Sequence, residues 1–540
     1  MDRQRDSMSS RAFWFGVAVA TLGAAAFLGA RLQAWPPHED ETLALFVGSQ
    51  PFGEMLHTVL GERGGAPLHF LLVHLVSQVS PTLMGVRLIS LVFAVASIPV
   101  VALLARRLVG RSAALVATLI VAASWVTLFH GVYGRMYSLF LFVSALSFLA
   151  LLRALDRRTA GAWGLWGLAM LATLACHQYG VFLLTAQVAF TLVTYRRRPF
   201  PLTVPIVALV AVVGLALPVW RSNLVLASRF DVGVGSGSTQ LGGPLPVFEY
   251  LRSALGDFVA GWVGIFAVVA ALGVLGLVVL ARTRPQTAIL IGLTFILPTT
   301  GLMLARVGGS AGSPETRHLI FALPFFAMLV GTAVVFLAGR AGRHAGTVLA
   351  LSAATLVAVE VAWGWSTTPT LYAGEPDRRR EARKEATEWL ATRLRPTDVL
   401  FAYDPLYLGA RELGAAGGQI VVPRADPKLA ADVLMNAEHP LGRGVWVLDA
   451  SDGSRIVNNN STRLSIQARA PGDGYEFRAF GPFLVLISEQ PTVTAEAFLK
   501  DTLAIQAMGL VDLGVPSSPV NYNTAVAALG AVQAGETPPR

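Results

Sequence analysis

Residues 82–105 read TLMGVRLISLVFAVASIPVVALLA, and Arg106, Arg107 and Arg111 follow at once. As a helix this run covers about 36 Å, enough to cross the ~30 Å hydrocarbon core of a bilayer. Arg87 is its single charge and lies near one end; the basic cluster lies beyond the other. Apolar length closed by arginines marks a membrane crossing whose basic end faces the cytoplasm. Comparable runs lie at 12–32, 112–130, 136–153, 161–177, 179–195, 201–220, 258–281, 286–305, 318–338 and 345–365. Together they predict about eleven crossings. The stretch 66–79 opens with Pro67 and is too short to span. A crossing there would also turn every later basic cluster outward, so it reads as a re-entrant or interfacial helix.

The whole composition agrees. Of 540 residues, 54% are hydrophobic and 14% charged, with a mean hydropathy of +0.58. A soluble domain carries roughly 25% charged residues, so a wholly soluble or disordered chain is excluded. The net charge is +9, and all basic residues but Lys384, Lys428 and Lys500 are arginines. Residues 1–369 hold 25 Arg and 13 acids; residues 370–540 hold 17 basic and 20 acidic residues. The basic excess therefore sits in the hydrophobic part, where it sets topology rather than binding nucleic acid. With Arg3, Arg5 and Arg11 inside, 16 of those arginines fall in cytoplasmic segments and 9 outside. The first span lacks a small-residue cleavage site before Trp35 and reads as an anchor. The C-terminal region is then extracytoplasmic. Two domains are expected, a transmembrane one over 1–367 and a soluble α/β one over 368–540.

In the soluble region, DRRREARKEATEWLATRL is an amphipathic helix with Ala386, Trp389, Leu390 and Leu394 on one face. DVLFAY, QIVVP, VWVLDA and FLVLIS read as strands, and PKLAADVLMNA and AEAFLKDTLAIQAMGL as helices. No phosphate loop, zinc spacing or nucleophile elbow occurs there. Cys176 is the single cysteine, which excludes an intrachain disulfide and a Cys-based zinc site.

Chemistry concentrates at the outer ends of the spans. His38, Glu39, Asp40 and Glu41 follow Pro36 and Pro37. They read either as the capped start of a helix with Asp40 as the cap, or as a carboxylate base at the outer leaflet. His38 beside these acids leaves a divalent metal open. Arg135 and Tyr137 lie in GVYGRMYSL, and Arg317 and His318 follow SPET. Either pair can be an interfacial anchor or can grip a phosphate, which a guanidinium meets with a fork of donors. His177 and Tyr179 in CHQYG are weaker candidates, and Arg87 is placed to pair with an acid of the first loop. Glu360 lies inside the last span, where a carboxyl is costly, and has no assigned role. Acids and arginines on one membrane face suit a substrate with a phosphate and a lipid tail.

This order of motifs resembles the protein O-mannosyltransferase-like glycosyltransferases, glycosyltransferase family 39 of the GT-C superfamily. The matching residues are Asp40-Glu41, then Pro67-Leu68-His69, then Arg135-Met136-Tyr137-Ser138-Leu139, then Arg317-His318-Leu319 with Pro324. Met136 replaces a more usual Pro, and His318 a more usual Tyr. The resemblance covers residues 1–365, and the tail resembles those of bacterial members. It implies a polytopic α-helical GT-C-like membrane fold in a bacterial cytoplasmic membrane. It also implies sugar transfer, with inversion, from a polyprenyl-phosphate carrier to a hydroxyl of a lipid, glycan or protein acceptor. Asp40 is then the base, with Glu41 assisting or orienting the loop. Arg135, Tyr137, Arg317 and His318 meet the phosphate, and His38, Glu39, His69, Arg87 and His177 are accessory. Some related enzymes work without metal, so the resemblance fixes no cofactor and leaves a divalent metal open. A transporter or flippase of lipid-linked sugars is the alternative, but it calls for polar groups within the spans and an internal repeat.

Overall fold

The computed structural model describes residues 8–227, 244–307, 315–367, 376–437, 440–449, 474–515 and 517–535. Arg3 and Arg5 lie outside the described residues. The chain divides into two compact units. One gathers residues 1–33, 65–220 and 237–367; the other gathers 34–64, 221–236 and 368–540.

The first unit is helical. Among the described residues, six helices are long and apolar enough to cross a membrane: Ser10–Arg31, Leu83–Val109, Tyr137–Arg157, Val263–Thr283, Thr316–Gly339 and Gly342–Ser366. The pair Thr203–Leu215 and Leu217–Leu226, bent by 48°, makes up to seven. The expected count of eleven therefore exceeds what length and apolarity support. The difference lies in helices that are short or broken. The run 112–130 is two helices, Arg111–Ala123 and Trp125–His130. Ser124 between them is extended (φ −56°, ψ 134°), and its hydroxyl donates to the Asp257 carbonyl at 3.2 Å. The run 161–177 is the 17-residue helix Ala160–Cys176, and Gly180–Arg197 ends in Arg196 and Arg197. Pro285–Val307 carries Pro298 inside it. The stretch 66–79 forms the 11-residue helix Pro67–Ser77, about 16 Å long and too short to span.

Small residues let the helices close up, as packing without a hydrophobic drive requires. A Cβ on Gly276 would lie 1.9 Å from the Leu329 carbonyl oxygen, and one on Gly331 would lie 2.5 Å from that of Ala113. Helix Leu323–Gly339 is thus clamped between Val263–Thr283 and Arg111–Ala123.

The second unit is an α/β sandwich. Strands β1 (Val399–Phe401), β2 (Ile420–Val422), β3 (Gly444–Asp449), β4 (Tyr475–Phe480) and β5 (Phe483–Ser488) form one sheet in the order β2-β1-β3-β5-β4. β1 pairs in parallel with β2 and β3, whereas β5 is antiparallel to β3 and β4. Alternating residues feed two cores. Val399, Phe401, Trp446, Leu448, Leu484 and Leu486 face helices Pro427–Met435, Ala495–Val511 and Ser518–Ala534. Leu400, Val445, Phe483, Val485 and Ile487 face helices Pro376–Ala391 and Pro405–Glu412. Trp446 stacks on Phe498 with ring centroids 5.4 Å apart, and its indole donates to Thr502 Oγ1 at 2.9 Å. The four strands read from the sequence are present. β4 and the helices Pro405–Glu412 and Ser518–Ala534 are additional. The segment 34–64 also folds into this unit: Ser222 Oγ donates to the Val59 carbonyl at 2.9 Å, and Gly64 (φ +79°) lies so close that a Cβ would sit 2.3 Å from the Ser222 carbonyl oxygen.

The Gly276 contact is testable. Gly276→Leu overpacks a backbone-to-backbone contact and should cost roughly 1–3 kcal/mol or more, lowering the unfolding temperature in detergent by several degrees. Gly292→Leu, where an added Cβ meets nothing within 4 Å, should leave it unchanged.

Candidate active site

Four chain breaks bring one set of candidate residues together in the helical unit. The first is the turn after Trp125–His130. There the Arg135 amide donates to the Tyr133 carbonyl at 2.6 Å, and Ser90 Oγ donates to the Arg135 carbonyl at 3.0 Å. Ser138 Oγ donates to the His130 carbonyl at 2.8 Å, so the serine of the Arg-x-Tyr-Ser-Leu motif fixes the turn that holds Arg135. The second break is the start of Tyr137–Arg157, which puts Tyr137 at the first position of the helix. The third is the junction His177–Tyr179, where the Tyr179 amide donates to His177 Nδ1 at 3.1 Å. The fourth is the 3-10 segment Thr316–Ala322, carrying Arg317 and His318.

The side chains form an aromatic basket in which His130, Tyr137 and His177 are buried and Tyr179 and His318 half-buried. Ring centroids of Tyr137 lie 4.7 Å from His130, 6.1 Å from His177 and 5.9 Å from His318. His318 is 5.2 Å from His177 and 5.5 Å from Tyr179. The Arg317 guanidinium lies over the Tyr137 ring at 5.5 Å and pairs with Glu315 at 2.7 Å. Arg135 is buried at 8% exposure. Tyr137, His177, Arg317 and His318 thus meet in one region, and Arg135 lies within electrostatic reach of His177 and His318. His130 and Tyr133 belong to it as well and are not anticipated. His130 closes the apolar run 112–130 and the sequence reading gives it no role, although the Gly131 that follows it is the signal of a turn.

His69 is buried in helix Pro67–Ser77 with its ring 5.8 Å from Phe70. Arg87, expected to meet an acid of the first loop, donates to the Leu32 carbonyl at 3.1 Å. Glu360 is fully buried, and neither carboxylate oxygen has a hydrogen-bond partner among the described residues.

The acidic cluster belongs to the second unit, on helix Glu39–Gly48. Its cap is His38, not Asp40. His38 Nδ1 accepts the Asp40 amide at 3.1 Å, and Glu41 Oε2 accepts the His38 amide at 3.1 Å. This is a capping box with His in the place of Ser or Thr. Glu41 is fully buried in it. Glu39 forms an ion pair with Arg424. Burial, with Asp404 and Asp40 nearby, pushes the Glu39 carboxyl above its ordinary range against the pull of Arg424. Asp404 is also pushed up, chiefly by burial. Among the described residues no group of three or more His, Cys, Asp or Glu could hold a metal, and His38 spends Nδ1 on the helix cap.

One acid near the basket escapes the sequence reading. Asp257 ends helix Pro244–Phe258, and the Thr316 hydroxyl hydrogen-bonds its carboxylate beside Arg317. Burial raises Asp257 to about 6 although that bond opposes the rise.

The fold has known counterparts. Residues 64–221 match the family described as dolichyl-phosphate-mannose-protein mannosyltransferase. The structure of ArnT from Cupriavidus metallidurans in the apo state superposes with a TM-score of 0.55 at 14% identity, covering 89% of this chain and 98% of that one. The structure of the same protein bound to undecaprenyl phosphate gives 0.53 at 15% identity, with 89% and 98% covered. No curated protein matches the chain significantly. The chain therefore shares the fold of ArnT, a helical membrane unit with a small α/β domain.

Asp257 gives a pH test. Its folded pKa lies above the unfolded one, so the native state holds an extra proton between about pH 4 and about 6. Stability from this group is full below that window and is lost as pH rises through it. Asp257→Asn should make the fall of the unfolding temperature across this window shallower and raise that temperature at pH 7 relative to wild type.

Proposed function

We propose that the protein is an integral-membrane glycosyltransferase that moves a hexose or pentose from a polyprenyl-phosphate carrier to an acceptor hydroxyl at the outer face of the cytoplasmic membrane. The observation that carries this reading is the basket. Two arginines, Arg135 and Arg317, stand beside Tyr137 at converging helix ends, in a fold shared with a protein that binds undecaprenyl phosphate. Guanidinium groups in a water-poor setting suit a phosphate that gains charge as it leaves.

The chemistry is the one that the resemblance implies. Asp40 takes the proton from the acceptor hydroxyl. The hydroxyl oxygen forms a bond to the anomeric carbon while the bond from that carbon to the phosphate oxygen breaks. The electron pair leaves on the carrier phosphate, where Arg135 and Arg317 stabilise it, and the anomeric configuration inverts. Asp40 is the second residue of its helix, where the positive end of the helix dipole favours the carboxylate. Glu41 supports it indirectly by closing the capping box.

The test uses purified protein, undecaprenyl-phosphate hexose and pentose donors, and membrane extract as acceptor. Asp40→Asn keeps the shape but cannot take the proton, and should cost ~10²–10⁴ in transfer rate with donor binding retained. Arg135→Ala should weaken both undecaprenyl phosphate binding and turnover. Near-normal transfer by Asp40→Asn would move the base elsewhere.

A further inference from the structure

The three acids of helix Glu39–Gly48 have been given separate tasks. Glu41 closes the cap, and Glu39 reaches Arg424 of the C-terminal α/β fold. Arg424 sits on a firm platform. It follows β2, whose Val422 carbonyl accepts the Ala402 amide at 2.8 Å. The next residue, Ala425, has φ +62° and donates its amide to Thr524 Oγ1 at 3.1 Å. The backbone on either side of Arg424 is thus held by the sheet and by helix Ser518–Ala534.

The same helix is gripped a second time. Phe46 lies seven residues after Glu39, on the same helical face. Its ring is 5.8 Å from that of Tyr403, and the Arg411 guanidinium lies over it at 4.8 Å. One contact is at the first turn and the other at the last. A rod held at both ends along one face can neither roll nor slide. Each residue is offset by ~100° around the axis, so fixing Glu39 and Phe46 also fixes the direction of Asp40. Arg424 lies within electrostatic reach of Asp40 as well as of Glu39 and Asp404.

We propose that Arg424 is a positioning residue: through its ion pair with Glu39 it sets the rotation of helix Glu39–Gly48 and so aims the Asp40 carboxylate. The inference rests on the reading of Asp40 as the base. It makes the C-terminal domain part of the catalytic geometry. A misplacement of about 1 Å can cost up to ~10²-fold in rate, so the effect belongs in turnover rather than in donor affinity.

The experiment measures kcat and donor KM for transfer from undecaprenyl-phosphate donors to membrane extract, together with binding of undecaprenyl phosphate alone. Arg424→Gln and Glu39→Gln should each lower kcat by about tenfold or more, with KM and carrier binding within about threefold of wild type. Arg424→Lys should recover part of the loss, and the exchange Glu39→Arg with Arg424→Glu should recover more than either change alone. Lys500→Ala, in an exposed pair with Glu496 on the same domain, should behave as wild type. Wild-type kcat in Arg424→Gln overturns the inference, as does a charge exchange no better than its single components. Asp40→Asn separates the two readings. Full activity there fails the base assignment, whereas an inactive Asp40→Asn beside an unimpaired Arg424→Gln fails the positioning role alone. Absence of transfer by the wild-type protein fails the functional reading and this inference with it.

Discussion

A backbone N–H or C=O without a partner costs several kcal/mol in hydrocarbon, so a chain in a bilayer stays helical until something else can satisfy it. That constraint organises the helical unit. Each break in a helix needs a substitute hydrogen bond, and each substitute found here holds a polar residue in place. Ser124 breaks one helix and binds the Asp257 carbonyl. His177 ends another and accepts the Tyr179 amide on its ring. Ser138 ties the next turn to His130. The breaks are therefore where the arginines, histidines and tyrosines gather, and the unbroken helices around them supply rigidity.

Much of this was legible because membrane helices announce themselves by length and by their flanking charges. The α/β domain was legible through its apolar strands. Its missed strand, β4, reads YEFRAF with alternating exposure at the sheet edge, and only a fully buried strand shows as an apolar run. The six or seven long apolar helices among the described residues fall short of eleven for a related reason. Apolarity continues through Ser124 and Ala216, so hydropathy cannot see a bend that backbone geometry makes.

The candidate residues divide along the same line. Arg135, Tyr137 and Arg317 were legible because charge and motif order mark them, whereas His130 and Asp257 depend on contacts between segments distant in sequence. Asp40 looked like the natural cap because Asp outranks His at that position. His38 takes the cap through Nδ1, and Glu41 completes it from the third helical position. Three adjacent acids thus have three different surroundings, which periodicity alone does not reveal. The segment bearing them is also tied to a domain more than three hundred residues away along the chain.

Cys176 has one more consequence. It is fully buried, and its thiol donates to the Met136 carbonyl at 3.5 Å. As the single thiol of the chain, it leaves the accessible surface without a native target for water-borne maleimides. A cysteine introduced into any loop would then report only its own surroundings. The wild-type sequence is in this sense already a reporter background, suited to spin labels or fluorophores placed one at a time.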